Sequence, residues 1–197
     1  MAESASPNVV IGLFVGGRGL RLGGVAKGNL TLASGETLAA RLVAEAKKAL
    51  PASRVVLVGA AEAYASLGLP ALVDTPAGIG PLGGLRALLL DAQAAGCAHA
   101  LALSCDLPYL GAGLIARLAH EEPAAALLAP RDGELWSTLV ARYAVSALAA
   151  VDAGIAAHEH ALQRVVRRLG DGAVELSVDE EERRQLRDWD TPEDAPG

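Results

Sequence analysis

The sequence predicts a three-layer α/β/α sandwich around a mostly parallel, Rossmann-like sheet. Three observations carry that expectation. Short apolar runs such as NVVIGLFV (8–15) and RVVLV (54–58) are rich in β-branched residues, as strands covered on both faces are. Segments with helical periodicity alternate with these runs. The connections between them are short, so successive strands run parallel through helical crossovers.

The elements follow in order. After the first strand comes a glycine-rich loop, then ETLAARLVAEAKKAL (36–50), with Leu38, Leu42, Ala46 and Leu50 four apart and Pro51 as its stop. Residues 54–58 form the second strand and AAEAYASL (60–67) a short helix. ALVD (71–74) closes a third strand at an acid. PLGGLRALLLDAQAAG (81–96) is a helix ended by glycine. HALALS (99–104) is a fourth strand, and Asp106 follows it closely. LGAGLIARLAHE (110–121) is helical, AAALLA (124–129) is a strand, and the pattern beyond residue 130 is less regular. The segment AHEHALQRVVRRL (157–169) reads as one helix that begins with two histidines.

At 197 residues, with neither a repeat nor a linker, the chain is expected to be one domain spanning 1–197. Hydrophobic residues make up 52% but aromatics only 3%, so the core is aliphatic. No apolar stretch approaches the roughly 18–20 residues of a membrane helix. The leader MAESASPN carries an acid where an export signal is positive. Cys97 and Cys105 offer neither a disulfide framework nor a metal spacing, so a reduced, cytoplasmic setting is expected. The net charge of −6 argues against nucleic acid as a partner. The charge is uneven: residues 1–54 hold seven Lys/Arg against three acids, and residues 170–197 hold ten acids against three arginines. The run EEERR (180–184) reads as a solvated face.

Residues 16–30, GGRGLRLGGVAKGNL, place six glycines, two arginines and a lysine in fifteen positions with no acid among them. Glycine lets backbone N–H groups approach an anion without a Cβ in the way, and successive N–H groups make a cradle. Arg18, Arg21 and Lys27 add charge-assisted hydrogen bonds to phosphate oxygens. A Walker loop is excluded because Lys27 is followed by Gly28, and a Rossmann fingerprint because position 22 is leucine. The competing reading is a flexible surface loop. In a parallel sheet, ligands gather beyond the carboxyl ends of strands. That rule brings the loop, Asp74 and Asp106 to one edge. Asp106, held between an apolar strand and Pro108, suits a hard cation beside a triphosphate, with an N-cap or turn as the plainer role. For Asp74 the plainer role is an Asx-turn.

Four blocks in order resemble the molybdenum cofactor guanylyltransferase family and its nucleotidyltransferase relatives: VGGRGLRLGGVAKGNL, DTPAGIGPLGGL (74–85), SCDLPYL (104–110) and DWDTPED (188–194). The resemblance covers nearly the whole chain and implies a nucleotidyltransferase sheet. It implies a nucleotide-binding part at about 8–130 and an acceptor-binding part at about 131–197. By that resemblance Phe14, Val15, Gly16 and Gly17 hold the base and open the phosphate loop. Arg21 and Lys27 engage the triphosphate, Asp74 contacts the nucleotide, and Asp106 holds Mg²⁺. Asp188 and Asp190 fall on the tail block, where they would face the acceptor, with Asp190 able to share the metal.

The departures are specific. Ala26 replaces the acid before the lysine, Val58 and Gly59 replace an asparagine, and Trp136, Ser137 and Thr138 replace a Gln/His-Pro-Thr block. Asp188 and Asp190 replace two asparagines, as in the cytidylyl-transferring branch. Trp136 and Trp189 are packing residues or platforms for a pterin ring. His158 and His160, two apart on a helix, would point to different sides and share no metal.

The implied reaction is in-line attack of an acceptor phosphate on the α-phosphorus of a nucleoside triphosphate, releasing pyrophosphate. Guanylyl transfer from GTP to molybdopterin leads, with a molybdoenzyme or maturation partner downstream. Cytidylyl or other nucleotidyl transfer to molybdopterin or a sugar phosphate is the alternative. A non-catalytic nucleotide-binding homologue is the third reading.

Overall fold

The structure, a computed structural model, describes residues 8–15 and 26–189. A buried strand β1 (Val9–Phe14) is followed, beyond a 3₁₀ turn at Lys27–Asn29, by helix α1 (Leu38–Ala49) and strand β2 (Arg54–Val58). A short strand β3 (Ala71–Leu72) leads to α2 (Pro81–Ala94), β4 (His99–Ser104) and α3 (Ala112–His120). The second half runs β5 (Leu127–Ala129), a small hairpin of β6 (Arg131–Asp132) and β7 (Leu135–Trp136), β8 (Val140–Ala144), α4 (Leu148–Ala156), α5 (Leu162–Leu169), β9 (Ala173–Glu175) and α6 (Glu180–Gln185).

Seven strands form one sheet in the order β3-β2-β1-β4-β8-β5-β9. In this sheet β8 alone, of the described strands, runs against its neighbours; β3, β2, β1 and β4 are parallel, and β9 is parallel to β5. The period of two along each strand builds two cores. Ile11, Leu13, Leu57, Leu101 and Leu103 face α1 and α3, while Val10, Phe14, Val56, Ala100 and Ala102 face α2, α4 and α5. The three-layer sandwich and its mostly parallel sheet therefore stand.

Local differences have local causes. The third strand is shorter than expected, because the chain leaves the sheet at Val73, which is 76% exposed. Residues 62–67 form a 3₁₀ segment broken at Tyr64 rather than an α-helix. The fifth strand spans only Leu127–Ala129. The expected helix over 157–169 begins at Leu162: the chain turns after α4, with His158 at φ +56°, so His158 and His160 lie in the loop between α4 and α5. Their rings meet edge-on at 6.3 Å rather than diverging.

Arg142 is the one fully buried charged side chain among the described residues. It points from β8 toward the end of α3 and donates to the carbonyls of Leu118 (3.1 Å), Ala119 (3.2 Å), Glu121 (2.6 Å) and Glu122. A cation there satisfies carbonyls that a helix end leaves without partners, and it complements the helix dipole. Burial lowers its pKa from the usual arginine value.

Candidate functional site

The chain passes from β1 outward through β2 and β3, then returns to lay β4 on the other side of β1. That reversal opens a crevice at the carboxyl ends of β1 and β4, where a ligand fits an α/β sheet. The register sets three strand ends level, since Phe14 pairs with Val58 on one side and with Ser104 on the other. The Val15 N–H donates to the Val58 carbonyl (3.0 Å) and the Cys105 N–H to the Phe14 carbonyl (3.3 Å).

Two elements converge on this crevice with opposite charges. Lys27 opens the 3₁₀ turn, Asp106 stands just beyond β4, and the Lys27 ammonium lies 3.5 Å from Asp106 Oδ2. Their side chains are 26% and 21% exposed, enough for a ligand to reach both. The Ser104 hydroxyl donates to Asp106 Oδ1 at 2.5 Å. Ser104 ends β4 and Asp106 follows in the turn, so the hydroxyl reaches the carboxylate two residues on. One carboxylate oxygen is thus fixed by a hydroxyl while the other faces the ammonium.

The floor beneath this pair is a buried tyrosine. Tyr64 is 2% exposed, and its hydroxyl accepts from the Gly28 N–H (3.2 Å) in the same core that holds Cys105. A Cβ on Gly28 would stand 2.7 Å from the Tyr64 ring, so glycine is what lets the turn sit this close. Asn29 Nδ2 donates to the Ala63 carbonyl (2.8 Å), tying the same turn to the same segment. Cys105 is buried, as a small hydrophobe would be. Burial and the adjacent Asp106 charge push its thiol up to about 11.

The opposite wall is built by Asp74 and the start of α2. A cleft of ≈ 260 Å³ is lined by Phe14, Val58, Asp74, Gly80, Ser104 and Leu139. The Thr75 N–H donates to the Gly83 carbonyl (3.1 Å). A Cβ on Gly84 would meet Val58 at 2.7 Å, the Phe14 ring at 3.0 Å and Asp74 Oδ1 at 3.1 Å. The paired glycines of PLGG therefore let the helix press against the strand ends and the acid. Burial raises the Asp74 carboxyl above its usual range.

The tail docks on the far side of Asp106. Glu182 closes a capping box with Asp179 at the start of α6 and accepts from Arg117 at 2.6 and 2.5 Å. Gln185 accepts from the Gly111 N–H (3.0 Å), and the Trp189 N–H donates to the Asp106 carbonyl (3.0 Å). EEERR is therefore only partly a solvated face: Glu180 and Glu181 are exposed and pair with Arg184, while Glu182 anchors the tail on α3. Trp189 is 2% exposed and packs edge-on to Tyr109, which removes it as a stacking platform. Trp136 is half-buried under the Arg131 guanidinium (5.4 Å), and Gln163 clasps its backbone from both sides.

Asp188 lines a second cleft of ≈ 430 Å³ together with Arg131, Ser137, Arg183, Arg184 and Arg187. Arg184 is paired with Glu180 and Glu181 at 2.8 Å. Arg131 Nε is buried with no hydrogen-bond partner among the described residues.

Phe14 and Asp74 line one cleft with Ser104, whose hydroxyl holds Asp106 against Lys27; Val15 is buried at the end of β1, and Asp188 lines the second cleft. Gly16, Gly17, Arg18, Arg21 and Asp190 lie outside the described residues. Among the described residues no group of three or more His, Cys, Asp or Glu could hold a metal, and no helix is long and apolar enough to cross a membrane. Sequence reasoning missed Tyr64, Ser104 and the arginines of the second cleft. Ser104, the hydroxyl that closes the apolar run HALALS two places before Asp106, was the readable signal.

Comparison with known proteins places the chain among nucleotidyltransferases. The family model of the MobA-like NTP transferase domain matches residues 12–174. A probable molybdenum cofactor guanylyltransferase of Opitutus terrae is 33% identical over 196 residues, covering 97% of this chain and 95% of the relative. A molybdenum cofactor guanylyltransferase of Pseudomonas fluorescens is 34% identical over 189 residues, covering 92% and 88%. Among solved structures, the molybdopterin-guanine dinucleotide biosynthesis protein A of Archaeoglobus fulgidus superposes with a TM-score of 0.72 at 21% identity, covering 93% of each chain.

Proposed function

The chain belongs to the MobA-like NTP transferase family, and from that premise we propose that it transfers the guanylyl group of GTP to the phosphate of molybdopterin, releasing pyrophosphate. The observation that carries the reading is the Lys27–Asp106 pair, 3.5 Å apart at the sheet's switch point and open to ligand.

The roles follow from the geometry. The guanine and ribose occupy the cleft between Phe14, Asp74 and Leu139, and the triphosphate runs toward Lys27. Gly16, Gly17 and Arg21, which follow Val15 in sequence, would serve the phosphates. Lys27 stabilises charge building on the transferred and departing phosphates, an effect typically worth about a hundred- to a thousandfold in rate. The acceptor is already anionic and needs no strong base, so positioning is the protein's main task.

Asp106 fits a divalent cation. It is a hard oxygen donor, partly exposed, with one oxygen oriented by Ser104. Mg²⁺ commonly takes one or two protein carboxylates and completes its sphere with water and substrate phosphates, so the lack of a three-ligand cluster is no obstacle. Asp106 would hold the ion with Asp190, and the ion would neutralise the α- and β-phosphates.

The acceptor enters from the second cleft, where Arg131, Arg183 and Arg187 offer guanidinium groups to its phosphate while Asp188 lines the same wall. Residues 8–130 would serve the nucleotide and 131–197 the acceptor within one domain, working in the cytoplasm and handing the product to a molybdoenzyme or its maturation partner.

The test is pyrophosphate release with molybdopterin and Mg²⁺, comparing GTP, CTP, ATP and UTP. GTP is expected to turn over at least about tenfold faster than the others. The Asp188/Asp190 pair favours a second reading, cytidylyl transfer, which a CTP preference would establish. No turnover with any nucleotide or acceptor would leave a non-catalytic binder.

A further inference from the structure

We infer that Tyr64 is a positioning residue that fixes the distance between Lys27 and Asp106, a role that rests on the nucleotidyl-transfer reading. Lys27 and Asp106 come from chain segments far apart in sequence, and neither is held by regular secondary structure of its own beyond a three-residue 3₁₀ turn. Tyr64 anchors the Lys27 side: its hydroxyl accepts from the Gly28 N–H (3.2 Å). The Asp106 side is held by the Cys105 N–H on the Phe14 carbonyl (3.3 Å) and by the core that Tyr64 and Cys105 share. Gly28 follows Lys27 and Cys105 precedes Asp106, so the phenol sets the turn that carries Lys27 against the strand end that carries Asp106.

The tether is rigid for physical reasons. Tyr64 and Cys105 are buried within the same core, and Gly28 lies flush against the ring. Burial holds the phenol well above its usual pKa, so it remains a neutral hydroxyl that accepts from the Gly28 N–H. The second link, Asn29 to the Ala63 carbonyl, keeps the turn from pivoting about the first. Removing the hydroxyl strands the buried Gly28 N–H without a partner, and the turn must move to find water. A shift of roughly 1 Å in a group acting on the transition state costs about a hundredfold in rate.

The test is Tyr64→Phe, which removes one oxygen and keeps the ring in the core. Two readouts are taken on the full chain: steady-state pyrophosphate release, and amide hydrogen exchange resolved at Gly28, Val56 and Leu101. The expected result is a kcat at least about tenfold lower with the KM for GTP changed less than about threefold, and Gly28 exchange at least about tenfold faster while Val56 and Leu101 are unchanged. Should Tyr64→Phe not fold, Gly28→Ala takes its place, since its methyl group would press the turn off the same ring and give the same pattern. Unchanged exchange at Gly28, or a uniform rise at all three amides with kcat per folded molecule intact, would overturn the role. The exchange arm needs no turnover. A wild-type chain that is inactive with every nucleotide would therefore refute the transferase reading, while exchange still decides whether the hydroxyl holds the turn.

Discussion

Single side chains at the crevice carry opposing demands of binding and stability. Asp74 is half-buried against α2 and its carboxyl is raised above the usual range by desolvation. A carboxyl with a raised folded pKa binds its proton more tightly folded than unfolded. Stability therefore falls as pH rises from the unfolded value through the folded one, and the full penalty is present above that window. Asp74→Asn is expected to stabilise the chain at pH 7, with the gain disappearing below the ordinary carboxylate range, while nucleotide affinity drops. Denaturant unfolding of both proteins across pH 3 to 7 checks the sign, and a gain that grows toward acid would refute it. Lys27 and Asp106 are expected to matter for the ligand and its turnover rather than for the stability of the free chain. Lys27→Ala and Asp106→Ala should each lower kcat/KM for GTP by about a hundred- to a thousandfold with little loss of stability, measured by pyrophosphate release and melting. Lys27 was readable from its place in a glycine-rich, cation-rich loop. Tyr64 was not, because nothing in AAEAYASL marks a phenol whose partner lies 36 residues away in the chain; only the fold brings them together.

Whole elements fail or hold through their ends. Arg142 replaces several missing hydrogen-bond partners at the close of α3. Arg142→Ala should cost about 3 kcal/mol or more, through unpaired carbonyls and a cavity in the sheet, as read from urea midpoints. A loss below about 1 kcal/mol would show that water replaces the guanidinium. The start of α2 is the other sensitive end. Gly84→Ala would force a methyl between Val58, Phe14 and Asp74, costing about 1–3 kcal/mol of packing strain and weakening GTP binding, whereas Gly113→Ala, with open space at its Cβ position, should be nearly neutral. The strands of the parallel half were legible because continuous Val/Ile/Leu runs have no other home. β8 was not: VARYA carries an arginine that would mark an exposed face, and its burial depends on helix-end carbonyls supplied by tertiary packing. The loop holding His158 and His160 was hidden for the opposite reason, since α4 and α5 are both good helix formers and the break between them rests on one residue at positive φ.

Across the molecule, β4's return beside β1 creates the crevice, and the docked tail closes its far side through the Trp189–Asp106 backbone bond. Fold class and crevice were readable together from strand alternation and from acids just beyond strand ends; the acceptor side was not, because its arginines are scattered between residues 131 and 187 and meet only after α6 folds back onto α3. A ligand that bridges these parts must stabilise them jointly. GTP with Mg²⁺ at about a hundred times its dissociation constant should add about 2.7 kcal/mol to unfolding, seen as a rise in melting temperature. That rise should be absent in Asp106→Ala when Mg²⁺ is supplied.

The most direct measurement is a crystal structure with Mg²⁺ and a non-hydrolysable GTP analogue. The triphosphate is expected to thread between the Lys27 ammonium and a cation on the Asp106 carboxylate, with guanine seated against Phe14 and Asp74. A nucleotide bound elsewhere, or one whose phosphates touch neither side chain, would contradict the account.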